Sequence, residues 1–160
     1  MKTFMLIISN DILMASALSW FVAQLLKTIL TLVTTRRLKF ERLVGAGGMP
    51  SSHSALVCSL VAVVARTYGV ESIYFAFAAV LAGIVMYDAM GVRRAAGEHA
   101  KILNKIVFKI NLDPDDKDEK DEEDEMLTNN ELKEFLGHTP LEVLGGAVLG
   151  ILIGLIFPLN

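Results

Sequence analysis

Apolar residues along the chain are gathered into four long runs that are separated by short polar or charged stretches. The runs extend over about Ile12 to Val33, Ser52 to Ala65, Ser72 to Tyr87 and Leu141 to Phe157. A helix that crosses a bilayer needs about 20 residues, with a range of about 17–25, so the second run is short unless its flanks extend it. The pattern predicts an all-α fold, a polytopic membrane helix bundle with about four transmembrane helices.

The stretches outside these runs predict smaller elements. Residues 1–9 indicate either an interfacial helix or the start of a long first helix. Gly91 to Ile110 has the pattern of a basic amphipathic helix, which is typical of a membrane interface. An acidic stretch at about 112–127 predicts a flexible loop, and a short helix is expected from about Asn129 to Leu136. We expect one membrane domain over residues 1–160.

Composition supports a membrane protein rather than a soluble one. Hydrophobic residues make up 53% of the 160 residues and the mean hydropathy is +0.50, which is high for a soluble domain. The net charge of −3 hides two opposed parts, because ten acidic residues and two lysines lie between Asp113 and Glu125. The rest of the chain is therefore basic. The single cysteine, Cys58, excludes an intrachain disulfide.

Basic residues follow the first and third apolar runs, which end on the same membrane face if there are four spans. They are Arg36, Arg37, Lys39, Arg42, Arg93, Arg94, Lys101, Lys105 and Lys109. Lysine and arginine near span ends mark the cytoplasmic side, so we expect a multi-pass protein of the cell membrane with this face inside. Attraction to anionic lipid headgroups is a second explanation of the same cluster. Nucleic-acid binding is not expected, because no aromatic platform accompanies a soluble basic surface.

Two histidines lie beside the starts of the second and fourth runs, on that basic face. His53 ends Gly-Met-Pro-Ser-Ser-His at 48–53, and His138 follows Gly137 just before the fourth run. Helix N-termini offer free N–H groups and a partial positive charge to an anion. Arginine adds bidentate hydrogen bonds to phosphate oxygens. The sequence therefore predicts a phosphate site at this face.

These motifs resemble those of a known superfamily. Pro50-Ser51-Ser52-His53 is similar to the Pro-Ser-Gly-His motif of the type 2 phosphatidic-acid phosphatase and vanadium haloperoxidase superfamily. The His-Thr-Pro-Leu-Glu sequence at 138–142 resembles its His-x-x-x-Asp motif at the head of the last helix. With Gly-Val-Arg-Arg-Ala-Ala-Gly at 91–97, nearly the whole chain resembles the small, divergent bacterial and plant branch of that superfamily.

The resemblance implies a phosphatase that needs neither metal nor cofactor and hydrolyses a lipid-linked phosphate or pyrophosphate. It implies that His138 attacks phosphorus, that Glu142 orients His138, and that His53 protonates the leaving oxygen. The residues expected to bind the phosphate oxygens are Lys27, Arg36, Arg37, Ser51, Ser52, Arg93 and Arg94. A phosphorylated lipid is the expected partner, and a homo-oligomer is compatible with the sequence.

The motifs depart from the family pattern in several places. Lys27 lies nine residues before Arg36 and no proline follows, so the first family motif is not intact. Ser52 replaces glycine and Glu142 replaces aspartate. The family arginine six residues before the nucleophile would fall at Leu132, so its role passes to Arg93 or Arg94. These departures leave a second function open, a carrier or flippase for phosphorylated lipid built on a degenerate phosphatase scaffold.

A second alignment makes His99 the nucleophile, because Arg93 lies six residues before it. Leu103 then stands where the family has its aspartate, which favours His138. Structural roles also compete with the chemical ones. Ser51 is a natural helix cap, and Thr139 with Glu142 fits a capping box. Lys27 either contributes to the site or snorkels toward the basic face.

Three further features have structural explanations that we favour. Asp88 is expected to pair with an arginine. Gly146, Gly150 and Gly154 form a small-xxx-small ladder, which is typical of close helix packing in membranes. The acidic stretch lacks the glycine that a calcium-binding loop has at its sixth position, so a solvated loop is favoured over a metal site.

Overall fold

The computed structural model describes residues 2–35, 48–111 and 137–159, and every regular element in these ranges is an α-helix. The helices are α1 (Lys2–Ile8), α2 (Asp11–Thr35), α3 (Ser52–Tyr68), α4 (Ile73–Met90), α5 (Val92–Asn111) and α6 (Pro140–Ile156). The predicted all-α class is confirmed. The N-terminal residues form a separate short helix, α1, rather than the start of a longer one. The acidic stretch and the short helix expected before residue 137 lie outside the described residues.

Two helical stretches among the described residues are long and apolar enough to cross a membrane. They are Asp11–Val33 and Ile73–Ile106, and α6 is apolar but shorter. With 17 residues each, α3 and α6 are about 25 Å long at 1.5 Å per residue, near the lower limit for a span. The four-span arrangement therefore stays a prediction.

Helix α3 lies at the centre of the bundle, where it packs against α2, α4 and α6. Its closest neighbour is α6, and the three glycines of the ladder form that contact. A Cβ atom added to Gly146 or Gly150 would overlap the carbonyl oxygen of Ser51 or Ala55, and one added to Gly154 would crowd Ser59 and Ala62. The ladder thus works as predicted, by letting two helix backbones approach closely.

Hydrogen bonds fix the position of α3 relative to α2. The Ser19 hydroxyl donates to the carbonyl of Ala55 at 2.9 Å, and the Ser59 hydroxyl donates to the carbonyl of Ala15 at 3.3 Å. Because both serines are buried, each bond replaces one that water would otherwise supply. Small residues on α2 and α3 therefore combine close packing with satisfied polar groups.

Arg66 ties α3 to α6 at the end of the bundle away from their N-termini. Its Nη1 atom donates to the carbonyls of Gly154 and Phe157 at 2.7 and 2.8 Å. Terminal carbonyls of a helix lack partners within the helix, and a cation there also complements the helix dipole. The glycine ladder and Arg66 together hold α3 and α6 side by side, starting at the same end of the bundle.

We predict that Gly150→Ala destabilises the protein, because the new methyl group meets the backbone of α3 rather than a movable side chain. Overpacking of this kind costs about 1–3 kcal/mol, which lowers Tm by several degrees in a chain of this size. Thermal unfolding of the purified protein in detergent measures the effect.

The matched control is Gly83→Ala on α4, because no atom lies within 4 Å of the added Cβ there. Alanine favours helix over glycine, so this variant should be neutral or slightly stabilised. Equal losses of Tm in the two variants would contradict the packing explanation.

Candidate functional site

The candidate site lies at the end of the bundle where α3 and α6 begin and α4 ends. The Ser51 N–H donates to the carbonyl of Glu142 at 3.0 Å, and the His138 N–H donates to the carbonyl of Ala89 at 2.9 Å. These two bonds link the starts of α3 and α6 to each other and to the last turn of α4. The residues that the sequence places beside helix termini therefore meet at one end of the bundle.

Gly137 allows the chain to reach this position. Its φ of +90° is a left-handed conformation that side chains disfavour, and a Cβ atom there would overlap the backbone of Arg93 and Arg94. Only glycine meets both conditions. Its close approach to the start of α5 sets where His138 enters the site.

The imidazoles of His53 and His138 lie close together, as the sequence predicted. Their ring centroids are 6.4 Å apart and the rings are tilted by 58°. A cavity of about 210 Å³ adjoins both rings. Its lining consists of His53, Ile84, Val85, Asp88, Ala89, Arg93 and His138. Ionisable groups thus face an apolar wall formed by α4.

One carboxylate oxygen of Glu142 has two partners. Oε2 lies 3.2 Å from Nδ1 of His138 and also accepts the Thr139 N–H at 3.0 Å. The Thr139 hydroxyl in turn accepts the Glu142 N–H at 3.3 Å, which completes a capping box. The capping box is therefore present, and it places the carboxylate of Glu142 against the His138 ring.

This contact determines which nitrogen of His138 carries the proton. A carboxylate only accepts hydrogen bonds, so Nδ1 is the donor and the neutral ring has its lone pair on Nε2. Nε2 is buried and has no hydrogen-bond partner within the described part of the chain. A buried, unpaired lone pair beside a cavity is the arrangement that a histidine nucleophile requires.

Burial lowers the pKa of His138 below its ordinary value, and the positive charge of Lys27 and the neighbouring His53 act in the same direction. The hydrogen bond and the charge of Glu142 oppose this shift without reversing it. Since the ordinary pKa is about 6.5, the ring is neutral at pH 7. The lone pair on Nε2 is therefore available at physiological pH.

Lys27 is buried within the bundle, with 1% of its surface exposed. This position excludes snorkelling, which would leave the ammonium group in water. Its charge acts on both imidazoles, although Lys27 does not line the cavity. Of the two explanations of Lys27, the structure supports placement beside the site.

Arg93 and Asp88 form the ion pair that the sequence predicted. Nε of Arg93 donates to Oδ2 of Asp88 at 2.6 Å, and both side chains line the cavity. Arg94 is exposed and does not line it, so Arg93 is the one of the two arginines that reaches the cavity. His99 is likewise exposed on α5 and outside the cavity lining, so of these two histidines only His138 adjoins the cavity.

The two serines of the first motif have a different placement from the expected one. Both are buried and neither lines the cavity. The Ser51 hydroxyl caps α3 by accepting the Ser54 N–H at 3.4 Å, and it also accepts the Ser54 hydroxyl at 3.1 Å. The structure therefore shows Ser51 as the cap of α3, outside the cavity lining. Arg36 and Arg37 lie outside the described residues.

The apolar wall of the cavity is not visible in the sequence alone. Ile84, Val85 and Ala89 look like any residues of a membrane helix, so they carry no chemical signal. Only the packing of α4 beside His53 and His138 reveals their role. Among the described residues, no group of three or more histidine, cysteine, aspartate or glutamate side chains is arranged to hold a metal ion.

We predict that Glu142→Gln lowers the pKa of His138 further. Glutamine keeps the capping box but removes the charge, and both the charge and the hydrogen bond of Glu142 raise this pKa. NMR titration of the histidine ring signals measures the shift, with the His138 signal identified by its loss in His138→Gln.

Glu98→Gln is the control, because Glu98 is an exposed carboxylate paired with Lys101 on α5. This change should leave the titration of His138 as it is. An unchanged or raised pKa of His138 in Glu142→Gln would count against the described contact.

Comparisons with known proteins identify the family of this chain. The model of the family described as "Divergent PAP2 family" matches residues 8–153. A protein of Bacillus subtilis (strain 168) named "Uncharacterized membrane protein YuiD" is 39% identical over 150 residues, which cover 94% of this chain and 95% of the relative. No solved structure matches the chain. Because the family model spans most of the chain, this protein belongs to the divergent PAP2 family.

Proposed function

We propose that the protein is a membrane-embedded, metal-independent phosphatase that hydrolyses a lipid-linked phosphate or pyrophosphate through a phosphohistidine intermediate. The observation that carries the proposal is the state of His138. Its Nδ1 contacts Glu142, its Nε2 has no partner among the described residues, and its ring lies 6.4 Å from that of His53 beside a cavity. Membership of the divergent PAP2 family supports the same chemistry.

In the first step Nε2 of His138 attacks phosphorus, and the bond from phosphorus to the leaving oxygen breaks. His53 gives a proton to that oxygen, so the product leaves as a neutral hydroxyl or a protonated phosphate. Glu142 stabilises the positive charge that develops on the His138 ring. In the second step His53 takes a proton from water, the water oxygen attacks phosphorus, and the P–N bond breaks to release inorganic phosphate.

Positive charge around the cavity would stabilise the transition state. Arg93 lines the cavity and Lys27 lies close enough to act on both rings, so both are proposed to face the phosphoryl oxygens. The N-termini of α3 and α6 add their dipoles at the same end. We also propose phosphate contacts for Arg36, Arg37, Arg94 and Ser52, from their motif positions alone.

The lipid character of the substrate rests on the cavity wall. Ile84 is 61% exposed although it lines the cavity, so the cavity adjoins the outer apolar surface of α4. A substrate with an apolar chain suits this setting better than a soluble ester. The proposal includes four spans, with α3 and α6 as short ones, in the cell membrane.

The sidedness is part of the proposal and follows from the basic residues near the ends of α2 and α4. This charge bias supports a site on the cytoplasmic face. Met49, an exposed residue at the start of α3, provides the test. Labelling of Met49→Cys by a membrane-impermeant thiol reagent in intact cells would place the site outside and reverse this assignment.

We predict that His138→Ala and His53→Ala abolish phosphate release, because each removes a group that forms or breaks a bond. The expected loss is about 10³-fold or more in kcat, as for other catalytic groups that act together. The measurement is release of inorganic phosphate from a panel of lipid phosphates by the purified protein with a chelator present.

The matched control is His99→Ala, which removes an exposed histidine outside the cavity lining and should keep wild-type turnover. Acid-labile label on the wild-type protein after brief reaction with ³²P substrate would identify the phosphohistidine. Saturable binding of lipid phosphate without any release would favour the carrier or flippase function instead.

We predict that Asp88→Asn tightens the binding of inorganic phosphate. Asp88 bonds to Arg93 at the cavity, so its carboxylate competes with an incoming anion for the guanidinium group. The pair is partly exposed to solvent, and such pairs contribute about 1 kcal/mol or less, so a change of several-fold in Kd is expected. Calorimetric titration with phosphate measures it.

Glu98→Gln removes the same charge from the neighbouring helix α5 and should leave the Kd within error, since Glu98 pairs with Lys101 away from the cavity. If Asp88→Asn weakens phosphate binding, the carboxylate orients Arg93 rather than competing for it.

A further inference from the structure

Helix α5 has three different faces. At about 100° per residue, Val92, Ile102, Leu103 and Ile106 fall within an arc of about 100°, and all four are exposed. Ala95 and His99 lie within the same arc. Gly97 and Ala100 are buried on the next part of the circumference. Arg94, Lys101 and Lys105 lie on the third. A helix surrounded by water would not be expected to expose an apolar face beside its basic face.

Helix length excludes a single span through α4 and α5. The apolar stretch Ile73–Ile106 has 34 residues, which is about 50 Å of helix against about 30 Å of hydrocarbon. Helix α4 alone has 18 residues, or about 27 Å, and is enough for a crossing. The chain leaves the helix at Gly91, which has φ −99° and ψ −90°. The Gly91 N–H donates to the carbonyl of Tyr87 and caps the end of α4. Helix α5 therefore starts where α4 reaches the membrane boundary.

Two tyrosines independently mark the membrane boundaries at the two ends of α4. Tyr74 and Tyr87 lie near the two ends of α4, and both are exposed on its surface. Tyrosine is enriched at membrane–water interfaces, where its ring is apolar and its hydroxyl reaches polar groups. Tyr87 lies four residues before Gly91, so the headgroup region is at the start of α5.

Charge identifies the surface that the helix contacts. Helix α5 carries five basic residues and one acidic residue, Glu98, which is paired with Lys101. A basic amphipathic helix binds the interface by burying its apolar face and attracting anionic lipids. We propose that α5 lies in the plane of the membrane at the same face as the site, with Leu103 and its apolar neighbours in the acyl-chain boundary and its basic side chains on anionic headgroups. This inference does not depend on the phosphatase activity.

The proposed orientation has a consequence for Arg93. The first turn of α5 carries Arg93, which lines the cavity, and Arg94, which is exposed beside it. A helix held at headgroup level keeps both guanidinium groups at the depth of a lipid phosphate. Contact of α5 with the membrane would thus keep the cavity opening at the depth of the lipid headgroups.

The test uses the full chain with its single cysteine replaced, Cys58→Ser, and one new cysteine labelled with bimane. Leu103→Cys reports on the apolar face. Lys105→Cys is the matched control, because it is exposed, two residues away, and on the opposite side of the helix. Each protein is reconstituted into vesicles of phosphatidylcholine and phosphatidylglycerol, with one of the two lipids brominated near the headgroup end of its acyl chains.

We expect the label at position 103 to be quenched strongly and the label at 105 weakly. Brominated phosphatidylglycerol should quench position 103 more than brominated phosphatidylcholine at equal mole fraction, by about twofold or more, and the preference should shrink in high salt. Equal quenching at 103 and 105 would place α5 inside the hydrocarbon. Absence of quenching at both would mean that protein or water covers this face, and equal quenching by the two lipids would remove the anionic preference; each result overturns the proposal.

Discussion

The approach of α6 to the backbone of α3 is the contact on which the rest of the structure depends. Gly146 and Gly150 bring α6 against the carbonyl oxygens of Ser51 and Ala55 at the start of α3. Any side chain at these two positions would prevent so close an approach. Apolar side chains gain little from burial when the surroundings are lipid, so packing and hydrogen bonds must supply the contact energy. This contact holds α3 and α6 parallel and in register, so both helices start at the same end of the bundle. The two histidines beside those starts therefore lie close together.

The first turn of α6 combines stability and chemistry in one group. A capping box uses a glutamate or glutamine three residues after the cap, and the same oxygen of Glu142 that completes the cap at Thr139 also contacts His138. The helix therefore cannot form its cap without orienting the imidazole. The superfamily motif that this segment resembles has aspartate at the position of Glu142. The longer side chain of glutamate folds back to the cap and also reaches the His138 ring.

Around the cavity, positive charges lie near the two imidazoles, and one of these charges is paired with a carboxylate. Arg93 is balanced by Asp88, and the buried Lys27 acts on both rings, of which His138 contacts Glu142. In an apolar medium an unbalanced charge is costly, whereas a balanced set can exchange partners when an anion enters. The proposed phosphate would replace Asp88 as the partner of Arg93, so binding need not create a new uncompensated charge.

The sequence by itself determined the helical class, the glycine ladder, the pairing of Asp88 with an arginine and the meeting of His53 with His138. Each of these features depends on the local pattern or on the residue types beside helix ends, and such signals are contained in residues that are close together in the sequence. Tertiary structure alone decided that Ser51 caps α3 instead of lining the cavity, that Arg93 and not Arg94 reaches it, and that Ile84, Val85 and Ala89 form its wall. Those outcomes depend on how far α4 lies from α3 and how α5 turns at Gly91, and distances between helices are set by packing of side chains that are far apart in the chain.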